Sequence, residues 1–344
     1  MKLKYYIKFL LIKIMLLFGK KFIKFCTYIP KIKTIAYIII LKDNPLKETP
    51  ELGTPLNYSE IKPMRLGDAG AGADAKARVV HDSGRNYLGR RVALLAHYDP
   101  DGMVDPYALY FAERLKKSGY LVVLCSQNEI TMDENLRELF DAAIYRNGPG
   151  LDFTSWKKAL GAFPSLFEAE ELLLTNDSFF GPVGSLEPLY DAMNPVECDF
   201  WGVVENPMFR PHVQSFYIVL RKKAVTSKAF REFFDSVRSS AKRRISIRYE
   251  TIFTQWLISG GLTGAVRFPL SCYVHPKYSN HIFSNGFLKT GQFPFIKRRM
   301  IIENPYAVLL QDLPDVLSGR GYPVSLMTNY ARRIGKKLEI NFEG

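Results

Sequence analysis

The stretch that decides the fold runs from Arg91 to Arg146. It reads RVALLAH (91–97), VDPYALYFAERLKKSG (104–119), LVVLC (121–125), DENLRELF (133–140) and AAIYR (142–146). The first, third and fifth pieces are short, unbroken apolar runs of strand length. The second places Val104, Ala108, Phe111 and Leu115 on one helical face and stops at Gly119. The fourth is a short helix. Strands that are apolar on both faces and alternate with helices predict a mostly parallel sheet covered on each side, an α/β fold of the Rossmann type.

The same alternation continues downstream. A helix near Ser155–Leu160 leads to the strand ELLLT (171–175), and a helix spans about Ser185–Met193. FWGVV (200–204) and SFYIVL (215–220) are strands, and 227–240 and 248–260 are helices. Residues 42–88, with GDAGAGADAKA at 67–77, are polar and rich in turn-formers, and read as a linker. The folded domain is then expected over 89–310. A helical, basic extension follows over 311–344, packed on the body or on a membrane.

Charge is distributed unevenly. The chain of 344 residues carries a formal +13, and its first forty residues hold nine lysines, no arginine and no acid. The basic balance thus belongs to residues 1–41, and the body is close to neutral. That argues against nucleic acid as a partner, since such proteins carry arginine-rich charge on the folded surface. Within Lys4 to Phe25, Ile14 to Gly19 is the longest uncharged piece, too short to span a bilayer. It also lacks the unbroken apolar run and small-residue cleavage site of a signal peptide. Lys2, Lys13, Lys20 and Lys24 fall within about 40° of one another on a helical wheel. The segment reads as an amphipathic helix lying in the headgroup plane of an anionic membrane, the alternative being a basic tail or a helix packed on the body. The expected location is the inner face of the cell membrane. Four widely spaced cysteines form no CxxC or zinc pattern and read as buried thiols.

Ligands of open α/β sheets bind beyond the carboxyl ends of the strands. Those ends carry His97-Tyr98-Asp99-Pro100-Asp101-Gly102, then Arg146-Asn147-Gly148-Pro149-Gly150-Leu151-Asp152, then Thr175-Asn176-Asp177-Ser178, then Glu205-Asn206. Each residue has two readings. Asp177, flanked by Asn176 and Ser178, is either a ligand for a divalent cation (Mg or Mn) or a turn aspartate. Arg146 pairs either with phosphate or with Asp152. His97 and Asp99 hold a nucleotide, or HYDPDG is only a turn.

The chain resembles the rhamnan synthesis protein F family of polysaccharide glycosyltransferases. AHYDPDGMVD (96–105), RNGPGLDFTSWKKAL (146–160), LLLTNDSFFGP (172–182), DFWGVVEN (199–206), HVQSFYIVLRKKAVTSKAFREFF (212–234), RYETIFTQWLISGG (248–261) and FPFIKRRMIIENP (293–305) carry the resemblance, in order. It implies a GT-A-like fold, a nucleotide-sugar donor with dTDP-L-rhamnose expected, and a glycan or lipid-linked acceptor in surface polysaccharide assembly. By the same resemblance Arg146 and Asn147 lie near the nucleotide, and His212, Gln214 and Ser215 near the sugar. Such folds usually carry two aspartates at the acidic strand end, whereas here Asp177 is the only charged residue of Thr-Asn-Asp-Ser. An inverting transfer needs a carboxylate base, for which Asp152 and Glu250 are the candidates, Glu250 otherwise being a surface helix residue. Two other classes stay open. His97, Asp99, Asp101 and Asp105 loosely match a metal-dependent phosphoesterase pattern, and a non-catalytic membrane scaffold would keep the fold alone.

Overall fold

A computed structural model describes residues 50–58, 75–207, 209–240, 243–272, 292–303, 313–336 and 338. The basic segment 1–41 and residues 59–74 lie outside the described residues. In chain order the strands and helices are β1 (Thr54–Pro55), β2 (Lys76–Asp82), β3 (Arg91–His97), α1 (Pro106–Lys117), β4 (Leu121–Ser126), α2 (Glu134–Leu139), β5 (Ala142–Asn147) and α3 (Asp152–Ala162). There follow β6 (Glu171–Asn176), β7 (Phe179–Phe180), α4 (Glu187–Met193), β8 (Phe200–Asn206), β9 (His212–Val213), β10 (Tyr217–Arg221), α5 (Lys222–Val225), α6 (Lys228–Ser236) and α7 (Arg243–Ser259). The chain closes with β11 (Gly264–Phe268), β12 (Ile296–Lys297), α8 (Arg298–Ile302), α9 (Leu313–Ser318) and α10 (Ser325–Arg333).

One mixed sheet has the order β1-β11-β8-β10-β6-β3-β4-β5-β2, and β9 pairs with β8 off its path. β5, β4, β3 and β6 are mutually parallel. β10 runs antiparallel between β6 and β8, and β11 is parallel to β8. The expected mostly parallel α/β sheet is therefore present, with the antiparallel β10 inserted between β8 and β6. Side chains of the parallel strands alternate between two cores. Ala93, Leu95, Val122 and Leu124 pack with Phe111 and Leu115 of α1. Val92, Leu94, Val123 and Cys125 pack with Trp156 and Leu160 of α3 and with Phe230 and Phe253 of α6 and α7. Burial on both faces explains why these strands read as unbroken apolar runs.

Two departures from the sequence reading have a physical cause. Residues 76–82, within the stretch read as linker, form the edge strand β2, antiparallel to β5. An edge strand that is mostly exposed carries no apolar alternation for a sequence to display. β11 shows no unbroken apolar run in the sequence because GAVRF is short and carries a buried arginine, Arg267. In the C-terminal extension, α10 buries Met327, Tyr330 and Ala331, and Tyr330 packs edge-on against Tyr107 of α1 at 5.1 Å between ring centroids.

Candidate active site

The strand end of β6 organises the site. Asn176 is buried, and its side-chain orientation is forced by its neighbours. Its Oδ1 accepts from the backbone N–H of Ser178 at 3.1 Å and from the Ser178 hydroxyl at 2.7 Å. An N–H can only donate, so the oxygen must face Ser178 and the amide nitrogen must face away. That nitrogen donates to Oδ2 of Asp152 at 2.7 Å. Asp152 is the first residue of α3, where a carboxylate also meets the helix dipole favourably.

Asp152 stays half-buried, and its carboxyl is pushed up to about 6. Burial is the main cause, with the charges of Asp177 and Glu250 adding to it, while the Asn176 hydrogen bond and the Lys297 ammonium act in the opposite direction. Glu250 projects from α7, and its Oε1 accepts from both the backbone N–H (2.8 Å) and the hydroxyl (2.9 Å) of Ser215. Two cations complete the cluster. Lys297 Nζ donates to Ser178 Oγ at 3.1 Å and lies 5.0 Å from the centre of the Phe216 ring. Burial lowers its pKa, and the nearby carboxylates of Glu250 and Asp152 oppose that shift. Arg298 Nη1 lies 3.6 Å from Oδ2 of Asp177 and donates to the Tyr107 hydroxyl.

The site thus brings together Asp152, Asn176, Asp177, Ser178 and Glu250 from the sequence reading. His212 and Gln214 adjoin it along the chain. His212 is buried on β9 with Nδ1 against the Arg210 carbonyl at 2.7 Å, and the Gln214 backbone N–H donates to Val204. Lys297 and Arg298 were not singled out from the sequence. Their only signal was a basic run after the apolar FPFI, because no spacing rule connects residue 297 with residue 152.

Other expected residues have different occupations. Arg146 is wholly buried, and its fork is wrapped by the loop that follows it. Nε donates to Ser155 Oγ (2.7 Å), Nη1 to the Gly148 carbonyl (2.8 Å), and Nη2 to the Gly150 carbonyl (2.8 Å) and Gln127 Oε1 (3.0 Å). It shapes the turn that delivers Asp152. The positive φ of Gly148 (107°) and Gly150 (123°) fits them to that turn. Asn147 is exposed on β5, opposite Lys76 of the edge strand β2.

The HYDPDG loop belongs to an ion-pair network. Arg333, at the end of α10, bridges Asp99, Asp101 and Asp105, with Nε donating to Asp105 Oδ1 at 2.8 Å. Asp99 Oδ1 also accepts the N–H groups of Asp101 (3.0 Å) and Met103 (3.2 Å). Burial opposes the charged form of Asp99, yet the Arg333 guanidinium and these N–H groups outweigh it and hold the carboxyl below its usual range. For Asp105 burial wins, and its carboxyl is raised in spite of Arg333. His97 uses Nε2 on the Met103 carbonyl (3.0 Å) and Nδ1 on Ser126 Oγ (3.1 Å). A metal cage of the phosphoesterase kind would need these same atoms.

The donor set does not fit a resident divalent cation at Asp177 either. Among the described residues no group of three or more His, Cys, Asp or Glu side chains is placed to hold a metal. The Asp177 carboxylate already faces a guanidinium and the Tyr98 N–H (3.4 Å). A cation placed there would sit against a fixed positive charge.

Among the described residues no helix is long and apolar enough to cross a membrane. The chain is 24% identical over 275 residues to the Virulence protein VirA of Vibrio anguillarum, covering 68% of this chain and 87% of that protein. It is also 24% identical over 171 residues to the Uncharacterized protein y4gN of Sinorhizobium fredii, covering 48% of this chain and 45% of that protein. The family model described as Rhamnan synthesis protein F matches residues 121–342, a span that contains Asp152, the Asn176–Ser178 strand end, Glu250, Lys297 and Arg298. The chain belongs to the rhamnan synthesis protein F family.

Proposed function

We propose that this chain is a glycosyltransferase of GT-A type that moves a sugar, L-rhamnose from dTDP-L-rhamnose, onto a growing surface polysaccharide or lipid-linked glycan. The observation that carries the reading is Asp152, a half-buried carboxylate with a pKa near 6 at the carboxyl edge of a mostly parallel sheet. Ionised at neutral pH and still basic, Asp152 takes the proton of the acceptor hydroxyl. The oxygen attacks the anomeric carbon as the bond to the diphosphate oxygen breaks, and the nucleoside diphosphate leaves. Arg298 and Lys297 supply positive charge close to that departing group. Glu250, held by two donors from Ser215, serves to orient the acceptor.

The family's tie to polysaccharide assembly supports this reading. The nine lysines of the first forty residues support attachment to the cytoplasmic face of the membrane, where a lipid-linked acceptor is found. The test is release of dTDP from dTDP-L-rhamnose by the purified full chain, after a thermal-shift screen of nucleotide-sugars. Loss of turnover in Asp152→Asn with retained donor-induced stabilisation is the expected result. Failure of every nucleotide-sugar to stabilise the protein, or full turnover by Asp152→Asn, would overturn the proposal.

A further inference from the structure

The hydrogen bonds around Asn176 run in one direction, and that direction assigns roles. Lys297 Nζ has donors only, so in its 3.1 Å contact the Ser178 oxygen accepts. The Ser178 proton is then directed to Asn176 Oδ1 at 2.7 Å, and Asn176 Nδ2 donates to Asp152 Oδ2 at 2.7 Å. A cation stands at one end of this chain and a carboxylate at the other. Each donor polarises the next, which strengthens the last bond above that of an isolated amide. The backbone fixes the register of the whole assembly. Lys297 on β12 pairs with Phe179 on β7, and the Arg298 N–H donates to the Ser178 carbonyl at 3.0 Å. The Phe216 ring beneath Nζ holds the ammonium from another side.

We propose that Lys297 is a positioning residue for Asp152, acting through a directed relay of Ser178 and Asn176. The relay explains the asparagine that stands before Asp177. Position 176 must accept from Ser178 and donate to Asp152, and the asparagine amide does both where a carboxylate can only accept. An aspartate there would set two carboxylates within hydrogen-bonding distance and give Asp152 no donor. The charged groups facing Asp152 are Asp177 at the end of β6, Glu250 from α7, Lys297 from β12 and Arg146 from β5.

This inference rests on Asp152 being the base, and its test is arranged so that the two ideas fail separately. The Asp152 carboxyl is titrated by carbon-13 NMR in the full chain, its resonance assigned with Asp152→Asn, and no donor is required. Lys297→Met should raise the midpoint by about one pH unit, and Ser178→Ala, which keeps the ammonium but cuts the relay, by about half a unit. Lys297→Arg should restore most of the shift. Asn176→Asp should replace the single titration with two coupled steps. An unchanged midpoint in both Lys297→Met and Ser178→Ala, with melting temperatures within a degree of the parent, would overturn the relay. A relay that behaves as expected, together with full sugar transfer by Asp152→Asn, would leave the relay standing and remove the transferase role of Asp152.

Discussion

Replacing Arg333 with methionine separates the ion-pair network from the chemistry. The Arg333 side chain is 19% exposed, and the Asp99 and Asp105 side chains it bridges are 6% and 4% exposed. Removing one partner of a buried ion pair typically costs about 3–5 kcal/mol, because the remaining charge is left uncompensated. For a domain of this size that corresponds to a drop in melting temperature of roughly 6–15 °C. The loss should be uneven between the two carboxylates. Asp99 keeps the N–H groups of Asp101 and Met103, whereas Asp105 caps α1 without a side-chain hydrogen bond to it. Arg333→Met/Asp105→Asn should therefore regain at least half of the loss, measurable as a coupling in a double-mutant cycle. The sign of the pH dependence follows from Asp105. Its carboxyl is already raised, and without Arg333 only the weaker influence of the Arg298 charge opposes the burial and the Asp99 charge that raise it. A folded-state pKa above the unfolded value means that the native chain holds a proton the unfolded chain releases, so stability falls as pH rises past about 4. Urea unfolding of Arg333→Met should show a small loss near pH 4.5 and the full loss at pH 7.5. A loss below about 1 kcal/mol at pH 7.5, or one equal at both pH values, would refute the reasoning.

Three further outcomes follow. The rate of sugar transfer should fall about tenfold per unit below pH 6, because Asp152 must be ionised to accept a proton and its carboxyl titrates at about 6; a pH–rate profile flat down to pH 5 would dismiss it as the base. Gly150→Ala should cost roughly 2 kcal/mol or more in urea unfolding, since the residue sits at φ 123° and an added Cβ would meet the Thr154 side chain; it should also reduce transfer by displacing the Asp152 turn. Removing residues 1–41 should abolish sedimentation with phosphatidylserine vesicles and leave donor-induced stabilisation intact; binding that persists without them would place the membrane contact elsewhere.

What was legible in the sequence was whatever repeats locally. Unbroken apolar runs such as RVALLAH and LVVLC encode burial on two faces, so the strands at 91–97 and 121–126 and their parallel order were readable without coordinates. The strand-end rule likewise pointed to Asp152, Asn176 and Asp177, because backbone direction alone sends those loops to one edge of the sheet. What the sequence does not encode is who meets whom across long separations. Arg146 carries the same charge whether it holds a phosphate or its own loop, and only the fold wraps the carbonyls of 148 and 150 around it. HYDPDG has the composition of a metal site, yet Arg333, more than two hundred residues later, arrives on α10 and neutralises it. Lys297 reaches Ser178 because β12 pairs with β7, a contact of two-residue strands too short to leave a periodic trace. Local pattern is set by burial, which each short segment reports for itself. The partners of buried charges are set by chain topology, and that is why only the tertiary structure decided which carboxylates Arg333 neutralises.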